Sequence, residues 1–168
     1  MFLTIDELKS VLYEYQMNDI AEGDTTILED AIDSAVTEVK SYLLAANQRR
    51  ETATLSKQQY AAWVLYDAEA IVAAEGTERN QFLLRLTKRV AAWNVVELAT
   101  PDIIYDRVQE RYNAAVATLE KVAGFGEYAQ ARLILSGLPT LTTDNGETTD
   151  EKPFRMISRK KFNHEDIL

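Results

Sequence analysis

The helical spacing of apolar residues is the feature that most restricts how this chain can fold. From Thr4 to Gly124, apolar side chains recur at intervals of three or four residues, in segments bounded by residues that begin or end helices. At 168 residues the chain is long enough to bury a core without disulfides, and it contains no cysteine. We therefore predict an all-α fold, a bundle of about five helices over residues 1–124.

Two capping boxes predict where the first two helices begin. Thr4-Ile-Asp-Glu7 and Thr26-Ile-Leu-Glu29 have the spacing in which a Thr and a Glu side chain bond the free N–H groups at a helix start. Residues 18–25 between the helices are predicted to form a loop. The apolar face of the first helix is predicted to comprise Ile5, Leu8, Leu12 and Tyr15. The stripe of the second comprises Ile27, Leu28, Ala31, Ile32, Ala35, Val39, Tyr42 and Leu43.

Three further helices are predicted after a break at residues 47–55. The third runs from Ser56 to Gly76, and the fourth covers residues 78–98. The fifth begins at Thr100-Pro101-Asp102, a strong start signal, and ends at Gly124. Trp63 and Trp93 are predicted to be core anchors of the third and fourth helices. Other predicted inward residues are Tyr60, Val64, Ile71, Leu83, Leu86 and Val90, whereas Arg85, Lys88 and Arg89 are predicted to face outward.

Residues 125–168 form a predicted C-terminal extension. Its first part allows either a short helix over residues 127–135 or a strand at Arg132-Leu-Ile-Leu135. The Asp144-Asn145-Gly146 turn, with Thr-rich flanks, fits either a β-hairpin arm or an extended linker. An amphipathic tail follows, Phe154-Arg-Met-Ile-Ser-Arg-Lys-Lys-Phe162. A helical body with such an arm is typical of a protein that docks to other proteins.

Charge is distributed unevenly along the chain, whose net charge is −9. Residues 1–46 hold ten Asp or Glu and two Lys, whereas residues 151–168 hold five Lys or Arg and three acids. An acidic body argues against tight DNA binding, which draws its affinity from phosphate neutralisation. The start, from Met1 to Glu7, has no basic segment and no long apolar run. We therefore expect no signal peptide, no membrane span and an intracellular protein.

No arrangement of residues in the sequence predicts catalysis. The single histidine, His164, lies in Asn163-His-Glu-Asp166; a metal site would need further ligands, and a catalytic base would need a nucleophile and an orienting partner. There is no Gly-rich phosphate loop, Gly-x-Ser-x-Gly turn or His-Glu-x-x-His motif. The acidic pair Glu29 and Asp33 is typical of a solvated helix face rather than a two-metal site. We therefore predict no enzyme activity, no catalytic residue, no metal and no cofactor.

Three phrases of the sequence resemble a known family. They are Phe2-Leu-Thr-Ile-Asp-Glu-Leu-Lys9, Ile32-Asp-Ser-Ala-Val-Thr-Glu-Val-Lys-Ser-Tyr-Leu43 and Tyr112-Asn-Ala-Ala-Val-Ala-Thr-Leu-Glu-Lys-Val-Ala-Gly124. Together with the helix order over residues 2–124, they resemble the head–tail connector (adaptor, head-completion) proteins of tailed bacteriophages, including the Mu-like subgroup. The segment Phe154-Arg-Met-Ile-Ser-Arg-Lys-Lys-Phe-Asn-His164 also resembles tails of related phage proteins.

The resemblance implies a structural virion protein that forms a ring, typically dodecameric, below the portal protein and around the DNA exit channel. Such a protein resides in the virion neck, and in the host cytoplasm during assembly. It contacts the portal and other neck or tail proteins, and DNA passes through without sequence-specific binding. Candidates for an acidic channel face are Asp19, Glu22, Asp24, Glu29, Asp30, Asp33 and Glu38. Candidates for docking to a neighbouring subunit or the portal are Phe154, Arg155, Met156, Ile157, Arg159, Lys160, Lys161 and Phe162.

A different class of protein also fits the residues. A cytoplasmic helical interaction module would use the acidic face and a C-terminal recognition peptide in the same way, without forming a ring. A small enzyme of unknown type is a third class, and it would need a pocket that the sequence does not indicate. Ring formation with a portal-like partner separates the first two classes.

Overall fold

The computed structural model describes residues 2–52, 63–98, 106–129 and 132–141. Within these ranges lie six α-helices and two 3₁₀ turns, Gly76–Glu78 and Gly126–Ala129. The α-helices are α1 (Ile5–Leu8), α2 (Glu14–Ala21), α3 (Thr25–Thr52), α4 (Ala68–Ala73), α5 (Gln81–Glu97) and α6 (Asp106–Ala123). The described residues contain no β-strand, and the β-pairing recorded among them is one antiparallel bridge between Tyr66 and Thr140. The predicted all-α fold class is confirmed.

The core is built where α3, α5 and α6 pack against one another, with α1 and α2 against α3 and α5 and with α4 on α3. Each long helix contributes one apolar stripe, and because the stripes meet, most of their side chains lose contact with water. The stripe predicted for α3 is confirmed, although Ile27 and Tyr42 are half-buried. The buried side chains of the three helices include Leu28, Ile32, Val39, Leu43, Leu83, Leu86, Val90, Val95, Leu119 and Val122.

The beginning of the chain differs from its prediction after the first helical turn. The Thr4 capping box forms, since Glu7 N–H donates to Thr4 Oγ1 at 3.4 Å and Thr4 N–H donates to Glu7 Oε2 at 3.2 Å. However, α1 ends at Leu8, and the chain bends before a separate helix, α2, begins at Glu14. Because α2 continues to Ala21, residues 18–21 are helical and not part of the predicted loop. A second cap explains this helix, because Gln16 Oε1 accepts the Tyr13 N–H at 3.3 Å. Tyr15 is 62% exposed, so its predicted inward position is wrong.

Helix α3 begins earlier and ends later than predicted. Asp24 Oδ1 accepts hydrogen bonds from Thr26 N–H at 2.9 Å and Thr26 Oγ1 at 2.7 Å, so Asp24 caps the helix start. These bonds also lower the pKa of the Asp24 carboxyl. At the other end, α3 continues through the predicted break to Thr52. Trp63 hydrogen-bonds the Ala46 carbonyl, and the Asn47 side chain hydrogen-bonds the backbone of Tyr66. These tertiary contacts stabilise the helix beyond the end of its own apolar pattern.

The third predicted helix is much shorter in the structure. Residues 63–67 are not helical, and α4 begins only at Ala68, where Asp67 Oδ1 accepts the Ala70 N–H at 3.0 Å. The predicted start at Ser56 lies outside the described residues. Asn47 explains the change, because its side-chain amide hydrogen-bonds both the N–H and the C=O group of Tyr66. Asn47 Nδ2 donates to Tyr66 O and Tyr66 N–H donates to Asn47 Oδ1, each at 2.8 Å. Those backbone groups are thereby unavailable for helical bonds.

The last two long helices follow their predictions with small changes. Helix α5 begins at Gln81 because Asn80 Oδ1 caps it, accepting from the N–H groups of Phe82 and Leu83. Helix α6 ends before Gly124, whose φ of 76° lies in the left-handed region that glycine tolerates. The predicted start at Pro101 lies outside the described residues. Neither Trp63 nor Trp93 is fully buried; Trp93 stacks on Tyr112 with ring centroids 5.5 Å apart.

One ion pair joins the start of the chain to the turn before α5. Arg79 binds Glu7 through two bonds of 2.7 Å and also donates to Phe2 O at 2.8 Å. The Arg79 hydrogen bond is the main cause that lowers the pKa of Glu7 from 4.5 to about 2. Because this pKa is depressed on folding, the charged form contributes stability above pH 4.5, and the contribution is lost as the pH falls through the folded pKa.

Replacing Glu7 with Gln is therefore expected to lower the free energy of unfolding by about 1–2 kcal/mol near neutral pH, with allowance for partial solvent screening. The difference from the unchanged protein should shrink between about pH 4.5 and pH 2, as measured by urea unfolding across that range. Glu14→Gln is the matched control, because Glu14 forms an exposed pair with Lys9 at 3.0 Å. A pH-independent loss in Glu7→Gln would contradict the assignment.

Candidate interaction surfaces

The first part of the C-terminal extension is packed on the helical body. Residues 132–135 form neither the helix nor the strand that the sequence left open, but Leu135 and Leu138 are buried in the core. Leu135 N–H donates to the Tyr66 hydroxyl at 3.0 Å. Two backbone bonds of 3.0 Å, from Asp67 N to Pro139 O and from Leu141 N to Leu65 O, hold the segment beside residues 65–67. The extension is therefore part of the body as far as Leu141.

Arg132 anchors this segment. Its guanidinium carbon lies 4.2 Å from the Trp63 ring centroid and 5.3 Å from that of Tyr66. It donates to the carbonyl oxygens of Ala46, at 3.3 Å, and Val64. Trp63 Nε1 donates to the same Ala46 oxygen at 3.1 Å. Burial lowers the pKa of Arg132, yet carbonyl dipoles and ring faces still stabilise a planar cation. We call this arrangement the Arg132 anchor.

An acidic surface lies on α2 and on the outward side of α3. Six of its seven predicted residues are exposed, namely Asp19, Glu22, Asp24, Glu29, Asp30 and Asp33. Asp30 and Asp33 line a shallow groove with Ser34, Thr37, Glu38 and Ser41. These positions lie opposite the buried stripe of α3, and they place negative charge along one open helix face.

Glu38 is in a different environment from the other six acids. It is half-buried, and Tyr112 OH donates to its Oε1 at 3.3 Å. Burial raises the pKa of the Glu38 carboxyl, while the Tyr112 hydrogen bond opposes the shift. The hydroxyls of Tyr42 and Tyr112 also have raised pKa values, because burial and the Glu38 charge both disfavour their ionisation. Glu38 therefore joins α3 to α6 as well as bordering the groove.

A basic groove lies between the α1–α2 connection, α5 and α6. Arg85, Lys88, Arg89 and Arg111 line it, and its volume is about 510 Å³. Its other lining residues are Ser10, Val11, Gln81 and Leu84. Ser10, Val11 and Arg111 also line a second depression of about 550 Å³, which adds Lys9, Arg107 and Asp106. The groove is therefore the centre of a strip of cations on a protein whose net charge is negative.

The four cations of the basic groove have no carboxylate partner among the residues that the structure describes. Lys88 Nζ instead donates to Ser10 Oγ at 3.4 Å, and the guanidinium carbon of Arg85 lies 5.1 Å from the Phe82 ring centroid. Positive charges without an anion nearby attract negative groups from solution. The sequence predicted that Arg85, Lys88 and Arg89 face outward, but it did not associate them with Arg111. A usable signal was present, since residues 79–96 contain four Arg or Lys and no acid.

Neither a cluster of metal ligands nor a membrane-spanning helix is found in the described part of the chain. No group of three or more His, Asp or Glu side chains there is arranged to hold a metal ion. None of the helices in the described ranges is long and apolar enough to cross a membrane. The predicted docking residues from Phe154 to Phe162, and His164, lie outside the described residues.

Comparisons of the chain with protein-family models, with curated proteins and with solved structures found no match.

Replacing Arg132 with Ala is expected to loosen residues 132–141 and to lower the free energy of unfolding by about 1–3 kcal/mol, because two carbonyl groups lose a charged donor. The direct measurement is hydrogen exchange at the amides of Asp67, Leu135 and Leu141, which should all exchange faster. Arg85→Ala is the control, since it removes an exposed arginine and its cation–π contact with Phe82 but touches nothing in residues 132–141. Unchanged exchange in Arg132→Ala would mean that the burial of Leu135 and Leu138 holds the segment.

Proposed function

We propose that the chain is a structural virion protein, the head-to-tail connector (adaptor) of a tailed bacteriophage. In this role it forms an oligomeric ring, dodecameric in the resembled family, below the portal protein and around the DNA exit channel. The observation that carries the proposal is a helical body with an acidic surface and a basic groove on different sides. Such a body suits repeated contacts between subunits, and the three phrases that resemble connector proteins indicate which kind of assembly it joins.

The domain organisation proposed for this role is a helical body of about five principal helices, residues 1–124, followed by an arm, residues 125–168. In the structure, segment 132–141 ties the base of this arm to the body at Leu65 and Asp67, so in this proposal the part of the arm available for docking begins after Leu141. The 27 residues after Leu141 would then reach a neighbouring subunit, the portal or other neck and tail proteins. An arm that starts from a fixed point loses less entropy on docking than a wholly free chain.

The channel face is proposed to lie among the seven acids named for it from the sequence, Asp19, Glu22, Asp24, Glu29, Asp30, Asp33 and Glu38. We place its centre at the α2–α3 turn, where Asp19, Glu22 and Asp24 are exposed. Negative charge repels the phosphates of packaged DNA, so the duplex passes without binding a particular sequence. The protein would act in the virion neck after assembly in the host cytoplasm.

The test of the function is affinity capture of the full, tagged chain from the source culture, followed by mass spectrometry and negative-stain microscopy. Recovery of portal and capsid peptides together with tailed particles is the expected result. An eluate that holds only host regulatory proteins would overturn the connector and favour the cytoplasmic helical interaction module. Capture with an unrelated tagged acidic protein from the same culture controls for non-specific adhesion of particles.

Deletion of residues 150–168 is expected to leave a folded protein that is incorporated poorly into particles. The deletion removes Phe154, Met156, Ile157 and Phe162, which would bury apolar area against the neighbour, but it leaves the described core intact. Circular dichroism checks folding, and quantitative mass spectrometry of purified particles measures incorporation. Replacing Lys160 and Lys161 with Ala controls for loss of charge alone. Normal incorporation of the truncated protein would contradict the role of the arm.

A further inference from the structure

We infer that the basic groove receives the acidic face of α3 from a second copy of this chain. The inference rests on the proposed function, because it assigns the two surfaces through which ring subunits meet. On one side are Arg85, Lys88, Arg89 and Arg111. On the other side are Asp30 and Asp33.

The groove is suited to a convex, negatively charged partner. Its cations come from two helices, and they converge on a space of about 510 Å³ beside the apolar groups of Val11 and Leu84. Among the described residues none of the four cations is neutralised by a carboxylate within ion-pair distance. Docking a helix that carries acids would bring opposite charges together and cover the half-buried Val11 at the same time.

The acidic face of α3 has the complementary properties. Asp30 and Asp33 lie one helical turn apart and are exposed, and short polar side chains, Ser34, Thr37 and Ser41, continue the same face. None of the described cations forms an ion pair with either aspartate. Short side chains allow the helix to approach closely, so its carboxylates can reach guanidinium groups in the groove.

The two surfaces lie on different helices and share no residue, which determines the kind of contact they can make. Helices α3 and α5 pack on each other through their apolar sides, and Asn94 Nδ2 of α5 donates to Ala31 O of α3 at 3.2 Å. The acids lie on the exposed side of α3, and on α5 Arg85 is exposed and Arg89 half-buried. When the groove of one copy takes the face of the next copy without a reciprocal contact in the same pair, the contact is heterologous, so it repeats from copy to copy and closes into a ring when the rotation permits.

Two charge-reversed forms of the full chain test the inference. Arg85→Glu with Arg89→Glu makes the groove acidic, and Asp30→Lys with Asp33→Lys makes the α3 face basic. In the first variant the groove and the α3 face are both acidic, and in the second variant both are basic. Self-association is therefore expected to weaken about tenfold or more, because like charges placed together are costly. Sedimentation velocity at about 0.05 M salt measures the self-association. Raising the salt to about 0.5 M should weaken the self-association of the unchanged protein as well.

Mixing the two variants in equal amounts is the decisive step. In the mixture, the groove of each variant meets a face of opposite charge on the other variant. Alternating copies should therefore associate with a dissociation constant within about threefold of that of the unchanged protein. The matched control combines Glu78→Lys with Lys121→Glu, two exposed charges that belong neither to the basic groove nor to the acidic surface, and it should associate normally. Circular dichroism confirms that each variant folds.

Several outcomes would overturn the inference. The inference fails if the unchanged protein stays monomeric at about 0.1 mM in low salt. It also fails if either charge-reversed variant associates normally, or if mixing the two variants does not restore association. Binding of duplex DNA that is lost only in the groove variant, without self-association, would assign the groove to phosphate instead. These results are independent of portal capture. The function can therefore stand while this contact fails, and the contact can stand while portal capture fails.

Discussion

The apolar stripe of α3 is the constraint on which the rest of the structure depends. The helix extends from Thr25 to Thr52, and its buried side chains from Leu28 to Ala46 must be covered along several turns. Helices α5 and α6 cover the stripe from two sides, and α1, α2 and α4 pack around them. Because the inner sides of α3 and α5 are committed to the core, their charged residues can lie only on the outer sides. The separation of acidic and basic surfaces follows from that packing.

The end of α3 shows how side-chain hydrogen bonds extend the core beyond the helices. Asn47 holds the Tyr66 backbone, and the Ala46 carbonyl accepts from both Trp63 and Arg132. Each of these groups would be costly to bury without a partner. Satisfying them together explains why residues 63–67 and 132–141 lie side by side.

Much of the helical architecture could be predicted from local signals, and the errors have identifiable causes. The α3 stripe, the Thr4 capping box and the Gly124 end are properties of neighbouring residues, so they were found. The break at residue 47 and the long third helix were wrong because Asn47 binds Tyr66, nineteen residues away. Of the candidate surfaces, the exposed acids were found, but Glu38 proved half-buried against Tyr112. The basic groove was missed because Arg89 and Arg111 come to line one groove only when α5 and α6 pack on each other.

The sequence by itself determined the all-α fold class and the uneven distribution of charge, because helix periodicity, caps and charge are read within a few residues. The tertiary structure alone decided which charges share a surface. Lys9, Arg85 and Arg111 are far apart along the chain, and the α1–α2 bend together with the packing of α5 on α6 places them in adjoining depressions. The tertiary structure also decided that residues 132–141 belong to the body. The burial of Leu135 and the half-buried Arg132 cation depend on partners that no local pattern specifies.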